Sequence, residues 1–145
     1  MEREFRRIIV PVDGSEIAKK AAQKALALAK AADIEVLALH VIDIPGIHSL
    51  YAYPDELPYP ELHDLIAKEG QSYLDEIEKM GKQKGVNVAT KLIDGHPTEE
   101  IIKEATEDDL IVMGSKGRTG LDRLLLGGVA ENVARHASCP VMIVK

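Results

Sequence analysis

Short apolar runs alternate with segments of helical periodicity along this chain of 145 residues. The runs are rich in Ile, Leu, Val and Ala and cover residues 6–12, 34–42, 86–93, 110–113 and 140–144. Nearly continuous apolar runs are typical of strands that are buried on both faces, as in a parallel sheet covered by helices. Because parallel crossovers are right-handed, the alternation predicts an α/β fold with a doubly wound parallel sheet of five strands.

Four segments between the runs show apolar residues every three or four positions, which predicts helices over residues 16–32, 61–84, 97–105 and 129–137. Ser15 is the predicted N-cap of the first helix, and Gly85 ends the longest one. The predicted apolar face of the first helix consists of Ile17, Ala21, Ala25, Leu28 and Ala32. Residues 43–60 are rich in Pro and Tyr, so we expect a long loop there.

Length and charge restrict the class of protein. A chain of 145 residues is the usual size of one domain, so we expect a single domain over residues 1–145. The net charge of −6 argues against a nucleic-acid partner, because such binding depends on positive charge. We expect no membrane partner and a cytoplasmic location, since apolar runs are short and residues 1–4 are too charged for a signal peptide. The single cysteine, Cys139, is expected to be a packed residue.

Glycines cluster where the fourth predicted strand ends and where the last predicted helix begins. Gly114 and Gly117 follow the strand, and Gly127 and Gly128 precede the helix. The segment between them carries a net positive charge in an acidic protein, from Lys116, Arg118 and Arg123 against Asp122. Backbone amides exposed by glycine and a helix N-terminus together form a site for an anion, and ligands of open α/β sheets lie beyond the carboxyl ends of the strands.

This glycine pattern is neither of two well-known phosphate-binding motifs. The sequence lacks G-x-x-x-x-G-K-[ST], and its spacing differs from G-x-G-x-x-G. Glycine clusters also form ordinary turns, so the residues alone leave phosphate binding and a structural loop as open alternatives. Asp13, at the end of the first strand, has two interpretations as well: a ligand contact or a carboxylate that caps the following turn.

Several segments together resemble the universal stress protein family. Residues 113–117 read Met-Gly-Ser-Lys-Gly, nine residues follow, and residues 127–133 read Gly-Gly-Val-Ala-Glu-Asn-Val. The opening Ile-Ile-Val-Pro-Val-Asp-Gly-Ser of residues 8–15, the pair His40-Val41, and Cys-Pro-Val-Met-Ile-Val of residues 139–144 are also similar. The resemblance covers essentially the whole chain. It implies a three-layer, Rossmann-like fold of the adenine nucleotide alpha hydrolase-like type, with strand order 3-2-1-4-5.

ATP-binding members of that family carry G-x-x-G, nine residues, and G-[ST]. This sequence departs from the pattern only at Gly128, where a hydroxyl-bearing residue is usual. The resemblance implies a nucleotide-binding site formed by Pro11, Val12, Asp13, Val41, Met113, Gly114, Ser115, Lys116, Gly117, Arg118, Gly127, Gly128 and Val129. ATP is the best candidate, and Mg²⁺ or Mn²⁺ is expected to accompany it on the phosphates rather than in a protein cage.

The resemblance also assigns parts of the ligand to these residues. Val41 and Met113 would flank adenine, and Asp13 and Gly114 would meet the ribose. The phosphates would be held by Gly117, Gly127, Gly128 and Val129, with help from Lys116 and Arg118. We assign no catalytic residue and no protein-bound metal, because the five histidines show no metal-ligand spacing.

Three functions remain open at this point. The first is a dimeric, nucleotide-responsive regulatory module of the stress response that acts on an unknown protein partner. The second is a slow ATPase, in which Asp13 is the only evident group to position water. The third is a nucleotide-free dimeric scaffold. A homodimer through the last strand, Val141–Val144, is expected because a bare apolar edge favours pairing with a second copy.

Overall fold

The computed structural model describes residues 4–50, 59–116 and 126–145. It contains a five-stranded parallel sheet in the order β3-β2-β1-β4-β5, which confirms the predicted doubly wound α/β fold. The strands are β1 (Arg7–Pro11), β2 (Glu35–Asp43), β3 (Val88–Gly95), β4 (Asp109–Gly114) and β5 (Val141–Val144). β3 and β5 lie at the two edges of the sheet, so within the described residues β5 pairs with a strand on one side only.

The helices are α1 (Glu16–Ala32), α2 (Ile44–Leu50), α3 (Tyr59–Lys84), α4 (Pro97–Glu104) and α5 (Gly128–His136). The predicted loop over residues 43–60 is therefore wrong in part. Asp43 ends β2 and its Oδ1 accepts a hydrogen bond from the Gly46 amide at 3.1 Å, which caps α2. Pro45 lies in the first helical turn, where its missing N–H costs nothing. Residues 51–58 of that loop lie outside the described residues.

Alternate residues of each strand enter two separate cores. Ile8 and Val10 face α1 and α3, whereas Ile9 of the same strand faces α4 and α5. All three side chains are essentially inaccessible to solvent. The sheet is thus covered on both sides, which explains why its central strands are apolar at nearly every position.

The buried face of α1 differs from the prediction. Ala21 and Ala25 are buried as expected, but Leu28 is 37 % exposed and Ala32 is also exposed. The rest of the buried face consists of Ala18, Ala22, Leu26 and Ala29. An alanine-rich helix offers more than one apolar stripe, and close packing on the sheet selects the one with the smallest side chains. The last helix differs in the same way. The helical period of residues 129–137 predicts an apolar face of Val129, Ala130, Val133, Ala134 and Ala137, but Val129 and Ala134 of α5 are exposed.

Candidate functional site

The carboxyl ends of β1 and β4 lie side by side at the middle of the sheet. β1 leads into α1 on one face, and α4 reaches β4 from the other face. The order of the strands therefore reverses between β1 and β4, which opens a crevice at this point. Asp13 follows β1, and Ser115 follows β4, so the structure brings two parts of the predicted site together.

Backbone hydrogen bonds join the two glycine clusters. The Gly127 amide donates to the Ser115 carbonyl at 2.7 Å, and the Ser115 amide donates to the Val144 carbonyl at 2.8 Å. The loop between β4 and α5 is therefore closed at its base and fixed to the end of β5. Of the residues predicted to bind nucleotide, Gly117 and Arg118 lie outside the described residues.

The N-terminus of α5 presents three backbone amides beside this base. The first bond of the helix runs from the Glu131 amide to the Gly127 carbonyl at 3.0 Å, and Gly127, the N-cap, has no side chain to cap the helix. The amides of Gly128, Val129 and Ala130 consequently have no acceptor among the residues that the structure describes. Such amides, with the partial positive charge of the helix end, are suited to an anion.

Two features of the described residues bear on the expected site. The amides of Ser115 and Gly127 donate hydrogen bonds within the chain, so among the described residues the amides without an acceptor at this helix end begin at Gly128. Gly114 is explained by packing: a Cβ there would lie 3.0 Å from Ile17 Cγ2 of α1, which is too close for an ordinary contact. At Gly128, by contrast, a Cβ would have no neighbour within 4 Å among the atoms the structure describes. The departure from the family pattern at Gly128 therefore has no steric cause there.

Asp13 takes part in the turn that leads into α1. Its Oδ1 accepts a hydrogen bond from the Ser15 amide at 2.9 Å, and Ser15 Oγ accepts from the Ala18 amide at 3.2 Å as the predicted N-cap. The turn-capping interpretation of Asp13 is thus confirmed. Its second oxygen, Oδ2, accepts no hydrogen bond from the described part of the chain, so the carboxylate keeps an acceptor for a ligand.

The side chains expected around adenine share one side of the sheet. Met113 is buried among residues that face α4 and α5, and Val41 packs half-buried against the same cluster. Val12 faces α1 and α3 on the opposite side, and Pro11 is half-buried at the end of β1. Lys116 is half-buried immediately after the bonded Ser115. These positions surround the carboxyl end of β1.

Two side chains that the sequence did not single out as site residues support the end of β1. His40 of β2 is 9 % exposed, and its Nδ1 lies 2.6 Å from the Val12 carbonyl oxygen. Tyr73 of α3 packs edge-on against His40, with ring centroids 5.6 Å apart, and against Gly14. The signals available in the sequence were the His40-Val41 pair and the glycine after Asp13.

A further concavity lies at the opposite end of the sheet, where the strands begin. It has a volume of about 560 Å³ and is lined by residues at the ends of α1 and α3, among them Lys30, Asp33 and Gly85. Lys30 Nζ donates to the Lys84 carbonyl at 2.7 Å there. The concavity is therefore separate from the crevice between β1 and β4, which lies at the carboxyl ends of the strands.

The described residues contain neither a cluster of metal ligands nor a membrane-spanning helix. Within residues 4–50, 59–116 and 126–145, no group of three or more His, Cys, Asp or Glu side chains is placed to hold a metal ion. No helix in those parts of the chain is both long enough and apolar enough to span a bilayer.

The strand order and the crevice define a doubly wound α/β protein with a glycine-loop site at the switch point of its sheet. The sequence model of the universal stress protein family matches residues 4–145. The chain belongs to the universal stress protein family.

Relatives of known sequence and structure agree with this membership. Universal stress protein MJ0531 of Methanocaldococcus jannaschii is 40 % identical over 146 residues, which cover 99 % of this chain and 84 % of that protein. The solved structure of protein MJ0577 of the same organism superposes with a TM-score of 0.83 at 35 % identity, covering 98 % of this chain and 96 % of that one. A universal stress protein from Archaeoglobus fulgidus, solved in complex with dAMP, shares the fold with a TM-score of 0.67 at 23 % identity, covering 97 % and 98 %.

Proposed function

We propose that this universal stress protein binds an adenine nucleotide, with ATP the best candidate, at the crevice between β1 and β4. One observation carries the proposal. The amides of Gly128, Val129 and Ala130, which meet no acceptor within the described residues, lie at the N-terminus of α5, and the hydrogen bond between Gly127 and Ser115 fixes that helix end beside β4. This arrangement offers an anion both hydrogen-bond donors and a favourable dipole.

The electrostatics of the loop support a phosphate ligand. Lys116 follows Ser115 directly, and the segment from Gly114 to Gly128 has three basic residues against one acidic residue. A protein of net charge −6 has no general attraction for a polyphosphate, so this local concentration supplies it. Gly117 and Arg118 are proposed phosphate contacts on the strength of the motif alone.

The adenosine part of the ligand is assigned to the neighbouring strand ends. We place adenine against Val41 and Met113, which share one side of the sheet. We place the ribose near Oδ2 of Asp13, the carboxylate oxygen that does not accept the hydrogen bond from the Ser15 amide. The fold carries dAMP in the Archaeoglobus fulgidus protein, so it is compatible with an adenine nucleotide. A Mg²⁺ or Mn²⁺ ion would be held mainly by the phosphates.

The proposed role is that of a regulatory module in the stress response, acting in the cytoplasm as a homodimer. The bare edge of β5 supports dimerisation, since unpaired strand edges favour pairing with a second copy. Nucleotide occupancy would alter the surface around the Ser115–Gly127 hydrogen bond, since Ser115 is bonded to Val144 of that strand. A protein partner that binds this surface would then bind the nucleotide-occupied and empty states with different affinities.

Calorimetric titration with ATP, ADP, AMP and GTP tests the proposal, together with mass spectrometry of small molecules released from freshly purified protein. Lys116→Glu should weaken ATP binding about tenfold or more, because it replaces an attraction to phosphate with a repulsion. Lys103→Glu makes the same charge change on the exposed side of α4, away from the crevice, and should leave the affinity within about twofold.

Failure of the wild-type protein to bind any of the four nucleotides would overturn the proposal and favour the nucleotide-free scaffold. Equal loss of affinity in Lys116→Glu and Lys103→Glu would place the phosphates elsewhere.

A further inference from the structure

The backbone on both sides of Asp13 is held by side chains from other elements. On the N-terminal side, His40 Nδ1 lies 2.6 Å from the Val12 carbonyl oxygen. Because a carbonyl can only accept, Nδ1 carries the proton and donates it. His40 is 9 % exposed, so this bond is shielded from competing water.

On the C-terminal side, Gly14 adopts the left-handed conformation, with φ of 84°. A Cβ at this position would overlap the ring of Tyr73, so the ring lies directly on the glycine backbone. The same ring contacts His40 at an angle of 73° between planes. The Tyr73 hydroxyl donates to the Glu69 carboxylate one helical turn earlier, which orients the ring.

Gly70 on α3 permits the close approach of His40. A Cβ at residue 70 would lie 2.5 Å from His40 Cδ2 and 2.9 Å from Nε2. His40, Tyr73 and Gly70 therefore form one packed unit behind the turn of residues 12–15. The hydrogen bond that the Ser15 backbone amide donates to Asp13 Oδ1 fixes the carboxylate on that turn.

From these contacts we infer that His40 and Tyr73 are positioning residues, which place the Asp13 carboxylate for a hydroxyl of the nucleotide ribose. The inference rests on the proposed nucleotide site and assigns to it a determinant for ribose. Neither residue touches the ligand. His40 acts through the Val12 carbonyl, and Tyr73 acts through Gly14.

Ligands with and without ribose hydroxyls separate positioning from general stability. The wild-type protein should bind ATP about tenfold or more tightly than 2′,3′-dideoxy-ATP, because a hydrogen bond to a carboxylate is lost. His40→Leu removes the donor at similar volume and should reduce that preference to about threefold or less. His40→Asn keeps an N–H near the position of Nδ1 and should retain most of the preference.

Two further variants complete the test. Tyr73→Leu should reduce the preference as His40→Leu does, because it removes the ring from Gly14. Leu74→Ala is the control, since Leu74 is fully buried on the same helix and its truncation destabilises the fold. At a temperature where all variants are folded, Leu74→Ala should keep the wild-type preference for ATP.

The outcomes distinguish the proposed nucleotide binding from the positioning role of His40 and Tyr73. If the wild-type protein binds no adenine nucleotide, the proposed function and the positioning role both fail. If it binds ATP but His40→Leu and Tyr73→Leu keep the full preference over the dideoxy analogue, only the positioning role is overturned. An equal loss of preference in His40→Leu, His40→Asn and Leu74→Ala would also overturn it, because the effect would then be one of stability.

Discussion

Arg7 and Asp109 form an ion pair between β1 and β4, with Arg7 Nε 3.1 Å from Asp109 Oδ1. The Asp109 side chain is completely buried, and it also accepts hydrogen bonds from the amide and hydroxyl of Thr106. The pair lies at the amino ends of β1 and β4, and the crevice lies at their carboxyl ends. It therefore joins the strands whose other ends form the proposed site.

Removal of Arg7 should destabilise the protein strongly. Arg7→Met leaves a buried carboxylate without its main partner, and we expect a loss of about 3 kcal/mol in the free energy of unfolding measured with urea. Arg6 also approaches Asp109, at 3.4 Å, but its side chain is 56 % exposed. Arg6→Met should therefore cost less than about 1 kcal/mol. Similar losses in the two variants would contradict a special role for the buried pair.

The same pair should make stability depend on acid pH. Burial disfavours the charge of Asp109, but the hydrogen bonds from Arg7 and Thr106 outweigh it, so the pKa of Asp109 lies below its ordinary value. Its contribution is therefore complete above the unfolded pKa of about 3.9 and is lost as pH falls through the lower folded pKa. Urea unfolding from about pH 6 to pH 2.5 should show a decline in stability below about pH 4 that is shallower in Asp109→Asn. Parallel profiles would show that other groups cause the decline.

A hydroxyl at residue 128 should strengthen nucleotide binding. A Cβ at this position meets no atom of the described residues within 4 Å, and Gly128→Ser would restore the residue type that the family pattern usually has. One hydrogen bond to a charged phosphate should raise ATP affinity about tenfold in calorimetric titration. Gly128→Ala controls for the loss of glycine and should leave the affinity within about threefold. Equal effects of Ser and Ala would exclude the hydroxyl as the cause.

A charge on the bare edge strand should break the proposed dimer. Met142 of β5 is 40 % exposed, and Met142→Glu would bury a carboxylate at an interface through this strand. Light scattering should give about twice the chain mass of 15.8 kDa for the wild type and the single-chain mass for the variant. Leu65→Glu introduces the same charge at a 55 % exposed position on α3 and should remain dimeric. A monomeric wild type would refute the dimer directly.

The sequence determined the order of the five strands and of helices α1, α3, α4 and α5, but not α2, because apolar periodicity is a local property and the Pro-rich segment after β2 shows none. Runs of Ile, Val and Leu with Ser15 and Gly85 at helix ends were enough to define the five strands and to place α1 at its observed bounds. The family motif then indicated the carboxyl ends of the strands as the place for a ligand. Neither step needs knowledge of which side chains meet across the fold.

Tertiary structure decided the contacts between distant residues. Packing against the sheet chose the face of α1 that contains Leu26 over the one that contains Leu28, since both satisfy the helical period. Packing also brings Ile17 so close to Gly114 that only glycine fits there without a shift. It places His40 within hydrogen-bond distance of the Val12 carbonyl, 28 positions earlier in the chain. Such pairs depend on how elements pack in three dimensions, and a linear pattern carries no information on which of several compatible partners lies opposite.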